Sequence, residues 1–380
     1  MNKQVRFAFT CGGTSGHINP ALAIAASLRK QHPDAEIFFI GRAKGLEAEL
    51  IPQAGYEYKT VEAEPFPRRL SMELWDAWRT LKRSTRAMRR LLRQEQADAV
   101  VGTGGYVTAP VMAAARQLGI PRILHEQNAF PGQSNRVMSK GAAVCLSFEN
   151  TREYFEKAAR IEVTGNPVRD VFFKLTREEA RERLGMTPAE RLVLVTGGSQ
   201  GARSLNEVII DLAEELMRRP TAVPYKVIIA AGERHASTVR TALAEYNERF
   251  YADGYLYNMH DYMAAVDIVV CRAGASTCSE LAALGKPSIL VPYPFATGDH
   301  QMFNAKSMEE QGAALVRQDS QLNVTWLREQ LDLLFERPER LKSMGEAARK
   351  LAKPQAAEAA AQVAWEEMLK HRGVEVKHGE

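Results

Sequence analysis

Short apolar runs alternate along this chain with longer stretches whose apolar residues recur every three or four positions. The first kind reads as buried strands, the second as amphipathic helices. In the first half, residues 5–10, 36–40, 56–61, 99–101, 123–124 and 144–148 fit the strand pattern, while 20–30, 46–54 and 110–118 fit the helix pattern. The second half repeats the plan, with strands expected at 192–196, 227–230, 254–257, 268–271 and 288–291 and helices at 205–218, from 232 to about 250, at 275–284 and from 304. Apolar strands separated by helices predict parallel sheets. Each half opens on a strand, a Gly-rich turn and a helix. The turn is Cys11-Gly12-Gly13-Thr14-Ser15-Gly16-His17 in the first half and Gly197-Gly198-Ser199-Gln200-Gly201-Ala202-Arg203 in the second. The expected fold class is therefore α/β, with two domains rather than one long sheet. The break falls at Gly165-Asn166-Pro167, giving domains 1–164 and 165–346 and a helical tail at 347–380.

Composition narrows the function. The chain has 380 residues and 45% apolar content, enough for two cores. A net charge of +4 is too small to argue for nucleic acid. Cys11, Cys145, Cys271 and Cys278 have no metal-type spacing and sit mostly in or beside apolar runs, which predicts a reducing compartment and no structural zinc. The first strand starts too early to leave room for a signal peptide, and no apolar run is long enough to span a bilayer.

Candidate chemistry is densest at 267–305. The strand at 268–271 is broken by Arg272, Ala273 and Gly274. The helix at 275–284 then carries Ser276 and Thr277 near its start and Glu280 in its second turn. In open α/β sheets ligands bind just past the carboxyl ends of the strands, and a helix start favours an anion. Glu280 is placed to accept from two ribose hydroxyls, and His300 and Gln301, in the loop after the next strand, to reach a sugar. The competing reading is an ordinary βαβ unit with a solvated Glu and a loop His. The turn at 11–17 has the same phosphate-approach geometry, and its His17 is either a proton acceptor or a residue that caps or packs the helix. A second Gly turn, Gly102-Thr103-Gly104-Gly105-Tyr106, and the polar segment from His125 to Gly132 should converge on the same sheet edge. That edge would be rich in backbone donors and poor in fixed charge, suited to a polar, phosphate-bearing acceptor. A structural hydrogen-bonded pair of His125 and Glu126 fits equally well.

One segment is unusual. From Arg68 to Arg93 there are nine Arg or Lys against Glu73 and Asp76, while Leu70, Leu74, Trp78, Leu81, Met88 and Leu92 recur at helical spacing. Phe66, Met72 and Trp75 add apolar surface. Such a basic, Trp-bearing amphipathic stretch reads as membrane-surface binding, or as a helix packed on the sheet with its basic face in water.

The run RAGASTCSELAALGKPSILVPYP at 272–294 resembles glycosyltransferase family 28, as do the turn at 11–17, GTGGYVTAP at 102–110 and HEQNAFPG at 125–132. The resemblance implies a GT-B fold, two Rossmann-like domains facing across a cleft, with the 347–380 tail crossing back to the first. It implies an inverting enzyme that moves N-acetylglucosamine from UDP-N-acetylglucosamine to the C4 hydroxyl of N-acetylmuramic acid in lipid I, a polyprenyl-linked acceptor. His17 falls on the general base of the family's GGTGGH motif, in which Ser15 here replaces a Gly. Tyr106, His125 and Glu126 fall on the acceptor side as catalytic-site residues. Thr14, Ser15, Gly16, Asn128, Arg169, Ser199, Ala275, Ser276, Thr277, Cys278, Ser279, Glu280, His300 and Gln301 fall on the donor side, and Leu256 where the family packs uracil. Phe66, Leu70, Leu74, Trp75 and Trp78 would meet an anionic membrane surface from the cytoplasmic side, as in a peripheral inner-membrane protein. No Asp-x-Asp sequence occurs, so no metal cofactor is expected. Two alternatives stay open at this point: a UDP-N-acetylglucosamine 2-epimerase-like isomerase, and a non-catalytic membrane-docking protein of the same fold.

Overall fold

The computed structural model describes residues 4–64, 72–198, 200–221 and 224–374, with Met72, Glu73, Leu74 and Thr297 followed along the backbone alone. The chain forms two compact units, one of residues 1–169 with 353–380, the other of residues 170–352. The first therefore runs five residues past the break at 164. Thr164 and Gly165 still donate to Leu146 O, and Gly165 packs against Lys353 and Ala356.

In the first unit the strands are β1 (Arg6–Cys11), β2 (Glu36–Gly41), β3 (Glu57–Thr60), β4 (Ala99–Gly104), β5 (Arg122–Glu126), β6 (Ala143–Leu146) and β7 (Arg160–Val163). All pair in parallel, in the order β3-β2-β1-β4-β5-β6-β7. Alternate residues face opposite sides, so both sides must be apolar. Phe7, Phe9 and Cys11 join Ile24 and Leu28 of the helix Ser15–Gln31 on one side; Ala8, Phe38 and Val100 join Met112 of the helix Thr108–Leu118 on the other. The closing helix Ala356–His371 lies on the first side and packs on Ser15–Gln31. Ala360, Ala361 and Ala364 let the backbones approach, Trp365 stacks on His32 at 3.5 Å, and Arg160 pairs with Glu366 at 2.7 Å.

The second unit has β8 (Leu192–Thr196), β9 (Lys226–Ala230), β10 (Phe250–Asp253), β11 (Ile268–Cys271), β12 (Ser288–Leu290) and β13 (Ala314–Val316), in the order β10-β9-β8-β11-β12-β13. In each unit the strand order reverses at one place, between β1 and β4 and between β8 and β11, which is where a crevice opens at the carboxyl ends.

Several expectations shift. The first helix opens at Ser15, not Pro20, so His17 lies in its first turn rather than in the preceding loop. The strand placed at 254–257 is instead Phe250–Asp253, pairing with β9 through Tyr251↔Ile228. β7 and β13 were not anticipated. β7 is half charged, and β13 spans only three residues, too short to leave a period. His125 and Glu126 are the last residues of β5, not part of a polar loop.

Glycines let the turns meet backbone to backbone. A Cβ on Gly105 (φ +86°) would press on Gly12 O, and one on Gly201 (φ +74°) on Ala231 O, both deep inside van der Waals contact. Gly185 is also left-handed (φ +65°) but open on all sides. Gly185→Ala should therefore cost about 1–2 kcal/mol, the backbone strain alone. Gly105→Ala and Gly201→Ala should cost clearly more, because the opposing atom is main chain. Urea unfolding of the three variants decides it: equal losses would mean that the turns do not touch.

Candidate active site

In the first unit β1 delivers the chain to Gly12 and Gly13, and Thr14, exposed, is the N-cap residue of the helix Ser15–Gln31. Ser15 and Gly16 form its start, half-buried. His17 turns toward the end of β4. Its Nδ1 lies 3.0 Å from Thr103 O and 3.1 Å from Gln127 Oε1, while Thr103 Oγ1 donates to His17 O at 2.6 Å. A Cβ on Gly104 would come within 2.9 Å of the His17 ring, so glycine there makes room for it. A carbonyl oxygen only accepts. The proton therefore sits on Nδ1, and Nε2 of the neutral ring carries the lone pair.

Tyr106 is half-buried under the Arg42 guanidinium, 5.3 Å from its centroid. Arg42 in turn pairs with Glu47 at 2.8 Å. Glu47 is fully buried beneath the Gly turn and accepts from Gly13 N at 3.5 Å. No periodicity marks Arg42 or Glu47 as part of this site; only the close approach of Gly12 to Glu47 reveals it.

His125 and Glu126 depart from expectation. They occupy successive positions of a strand, so they face opposite ways and are not a pair. Both are buried and hydrogen-bonded within the unit. The His125 ring bonds to Gly165 O (3.0 Å) and to Gln127 Nε2 (3.1 Å). Burial lowers its pKa to about 4, against a weak upward pull from the Gly165 bond, so it is neutral. Glu126 accepts from Asn128 N, Asn128 Nδ2, Gly132 N and Asn135 Nδ2 at 2.9–3.1 Å, and so pins the 127–132 loop. The Asn128 side-chain amide, expected to reach a sugar, is turned to Glu126. Arg169 ends the unit, half-buried.

In the second unit Arg272 ties the ends of two strands. It donates to Val291 O (3.1 Å), Pro292 O (3.2 Å) and Ser204 Oγ (3.0 Å) and pairs with Asp319. It is scaffold. Gly274 precedes the helix Ala275–Leu284, whose first turn is Ala275, Ser276 and Thr277 with no acidic residue among them. A first turn of this kind directs N–H groups at an anion. Glu280 lies one turn on, buried to 8% exposure. The Cys278 thiol is buried, which raises its pKa to about 12, and its N–H donates to Gly274 O. Ser279 Oγ turns back to Ala275 O at 2.9 Å. Leu256 is buried at 3% exposure. His300 opens the helix His300–Glu310. Gln301 Oε1 accepts from Tyr293 N (2.9 Å) and Asn304 Nδ2 donates to Ala273 O (3.0 Å), which fixes that helix beside the end of β11. Ser199 lies outside the described residues. Among the described residues no group of three His, Cys, Asp or Glu is placed to hold a metal ion.

The basic helix spans Met72–Gln94. Met88 and Leu92 bury on the helix Thr108–Leu118 side of the sheet, and Ala77 is buried as well. Trp78, expected in the buried stripe, is instead 47% exposed, and Trp75 is 62% exposed. Arg79 lies over Trp75 at 5.6 Å and Lys82 over Trp78 at 3.9 Å. Phe66 and Leu70 lie outside the described residues, as does the side chain of Leu74.

Comparison with known proteins bears on what these two edges belong to. The model of the glycosyltransferase family 28 N-terminal domain matches residues 7–146, and that of the C-terminal domain residues 192–363. A relative from Acetivibrio thermocellus is 39% identical over 342 residues, covering 90% of this chain and 92% of its own. It is named UDP-N-acetylglucosamine--N-acetylmuramyl-(pentapeptide) pyrophosphoryl-undecaprenol N-acetylglucosamine transferase. The chain belongs to glycosyltransferase family 28.

The crystal structure of Acinetobacter baumannii MurG superposes with a TM-score of 0.69 at 27% identity, covering 96% of this chain and 100% of that one. The two parallel-sheet α/β units are thus of the GT-B kind. A UDP-N-acetylglucosamine 2-epimerase also superposes, with a TM-score of 0.64 at 15% identity over 98% of this chain and 97% of that one. At that identity the likeness is one of fold alone, so it lends the isomerase reading no weight.

Three residues of this family 28 chain received no role of their own from the sequence: Gln127, Gly104 and Glu47. Each is defined by its partner across the sheet, not by spacing. The buried imidazole gives a pH test. The folded-state pKa of His125 is about 4 against 6.5 unfolded, so the unfolded chain binds the extra proton and stability falls as pH drops from 6.5 toward 4. Between pH 6.5 and 5 that is about 2 kcal/mol. His125→Gln keeps a donor for Gly165 O and should lose about that much less than the unsubstituted chain over the same range, measured by urea midpoints. Identical pH slopes would show that His125 takes up a proton as readily folded as unfolded.

Proposed function

We propose that this chain transfers N-acetylglucosamine from UDP-N-acetylglucosamine to the C4 hydroxyl of N-acetylmuramic acid in lipid I, giving lipid II with inversion at the anomeric carbon. The observation that carries the reading is His17. It stands at the strand-order reversal of the first unit with Nδ1 protonated against Thr103 O, in a chain whose relatives are named for this transfer. His17 Nε2 takes the acceptor hydroxyl proton and the freed oxygen attacks the anomeric carbon. The bond from that carbon to the diphosphate breaks, and UDP leaves with the electron pair. Charge on the departing diphosphate is met by the first turn of the helix Ala275–Leu284 and by Arg169 rather than by a metal. Glu280 holds the ribose hydroxyls. The UDP-sugar and the lipid-linked acceptor are thus the partners.

The acceptor's lipid requires a membrane surface. No helix among the described residues is long and apolar enough to cross one. Trp75 and Trp78, exposed among Arg79, Lys82 and Arg86, supply an interfacial contact, and each Lys or Arg near an anionic leaflet adds about 1 kcal/mol. The protein is on this reading peripheral to the cytoplasmic leaflet.

The test is transfer of radiolabel from UDP-N-acetylglucosamine to a short-chain lipid I analogue with EDTA present. Labelled lipid is expected. UDP-N-acetylmannosamine formed without acceptor would mark an isomerase instead. His17→Ala should lower turnover by about 10²–10⁴-fold with UDP binding by calorimetry nearly intact; unchanged turnover would place the base elsewhere. Trp75→Ala with Trp78→Ala should weaken sedimentation with phosphatidylglycerol vesicles while leaving transfer to a water-soluble acceptor analogue intact. If vesicle binding is unaffected, this helix is not the membrane contact.

A further inference from the structure

Gln127 is buried, carries no charge and lies between two histidines. Its Nε2 is 2.9 Å from Thr103 O, 3.1 Å from His125 O and 3.1 Å from His125 Nδ1. Two of these are carbonyl oxygens, which only accept. The third is a ring nitrogen whose role follows from its other end: His125 Nε2 faces Gly165 O at 3.0 Å and must donate, so in a neutral ring Nδ1 accepts. All three neighbours of the Gln127 amide nitrogen are therefore acceptors, and the amide has one orientation only. Its oxygen is left facing His17 Nδ1 at 3.1 Å.

We propose that Gln127 is a positioning residue for His17, held in register by His125. Resting on the reading of His17 as base, it directs Nδ1–H inward and Nε2 outward, and its oxygen steadies the imidazolium formed when the acceptor proton arrives.

Donor and acceptor alternate without a break from Gly165 O through His125 Nε2–H, His125 Nδ1, the Gln127 amide and His17 Nδ1–H. Thr103 O is the second acceptor at His17 Nδ1, so the ring is gripped from main chain and side chain together. Two acceptors at one edge disfavour the flipped ring, which would bring a C–H to both of them. Gln127 does here, without charge, what a carboxylate does in a triad: it holds the tautomer and favours the protonated ring. The neutrality of His125 is part of the arrangement. A proton on its Nδ1 would face the Gln127 amide hydrogens and drive the amide to turn over.

The test uses the full chain labelled with ¹⁵N-histidine. The His17 ring nitrogens should report one tautomer, proton on Nδ1. Gln127→Met matches the side chain's size and removes both ends of the amide. It should lower turnover about tenfold, the scale of one hydrogen bond, with the donor KM unchanged. It should cause no further loss in a His17→Ala background, because it acts through that ring. If Gln127→Met does not fold, the His17 tautomer read on the unsubstituted chain decides the matter. A His17 spectrum showing Nε2–H in the unsubstituted chain overturns the proposal. So does an equal loss from Gln127→Met with and without His17, which would mark a packing effect. Failure of the function reading looks different: His17→Ala alone would leave turnover unchanged while the tautomer remained as described.

Discussion

The close approach of glycine-bearing turns at neighbouring strand ends is the constraint on which both halves depend, across β1 and β4 in the first unit and across β8 and β9 in the second. Gly105 lies on Gly12 O in the first unit, and Gly201 on Ala231 O in the second. A side chain at either place would push two neighbouring strand ends apart. In the first unit the consequence is chemical as well as architectural. With the turn after β4 drawn against the turn after β1, Thr103 O and the space over Gly104 come to lie beside the first turn of the following helix, where His17 is. The imidazole is placed by main chain of β4 and by the Gln127 side chain just past β5.

Much of the fold could be read in the chain because parallel sheets covered on both sides write continuous apolar runs. β1, β2, β8, β9 and β11 were placed within a residue or two on that signal. β7 and β13 were not, since each spans four residues or fewer at or beside an edge and gains its form from the neighbour it pairs with. The strand at 250–253 was displaced because Tyr and Phe occur on both sides of Gly254, and only pairing with β9 chooses between them.

The candidate site was legible to the level of motifs and not of roles. Spacing located His17, Glu280 and the helix start at Ala275. It said nothing of which polar residues turn inward. His125, Glu126 and Cys278 look, in a sequence, like residues that could face solvent, yet the structure buries all three. Burial of a polar side chain is decided by whether partners exist for it, and the fold supplies them: Gly165 for His125, Gly132 and Asn135 for Glu126.

Three consecutive residues show how that partnering divides labour. Glu126 carries a charge into the interior and is met by four N–H groups, two of them main chain, so its charge is matched locally and serves to hold a loop. A second carboxylate at position 127 would meet Thr103 O and His125 O with no donor for either, a like-signed arrangement in a buried place. Glutamine there presents a donor to those carbonyls and an acceptor to His17 with no net charge. A neutral amide is thus the group that meets both demands at once, and a neutral His125 beside it keeps the sense of every bond the same. What this network of bonds leaves unused on His17 is the other ring nitrogen, Nε2.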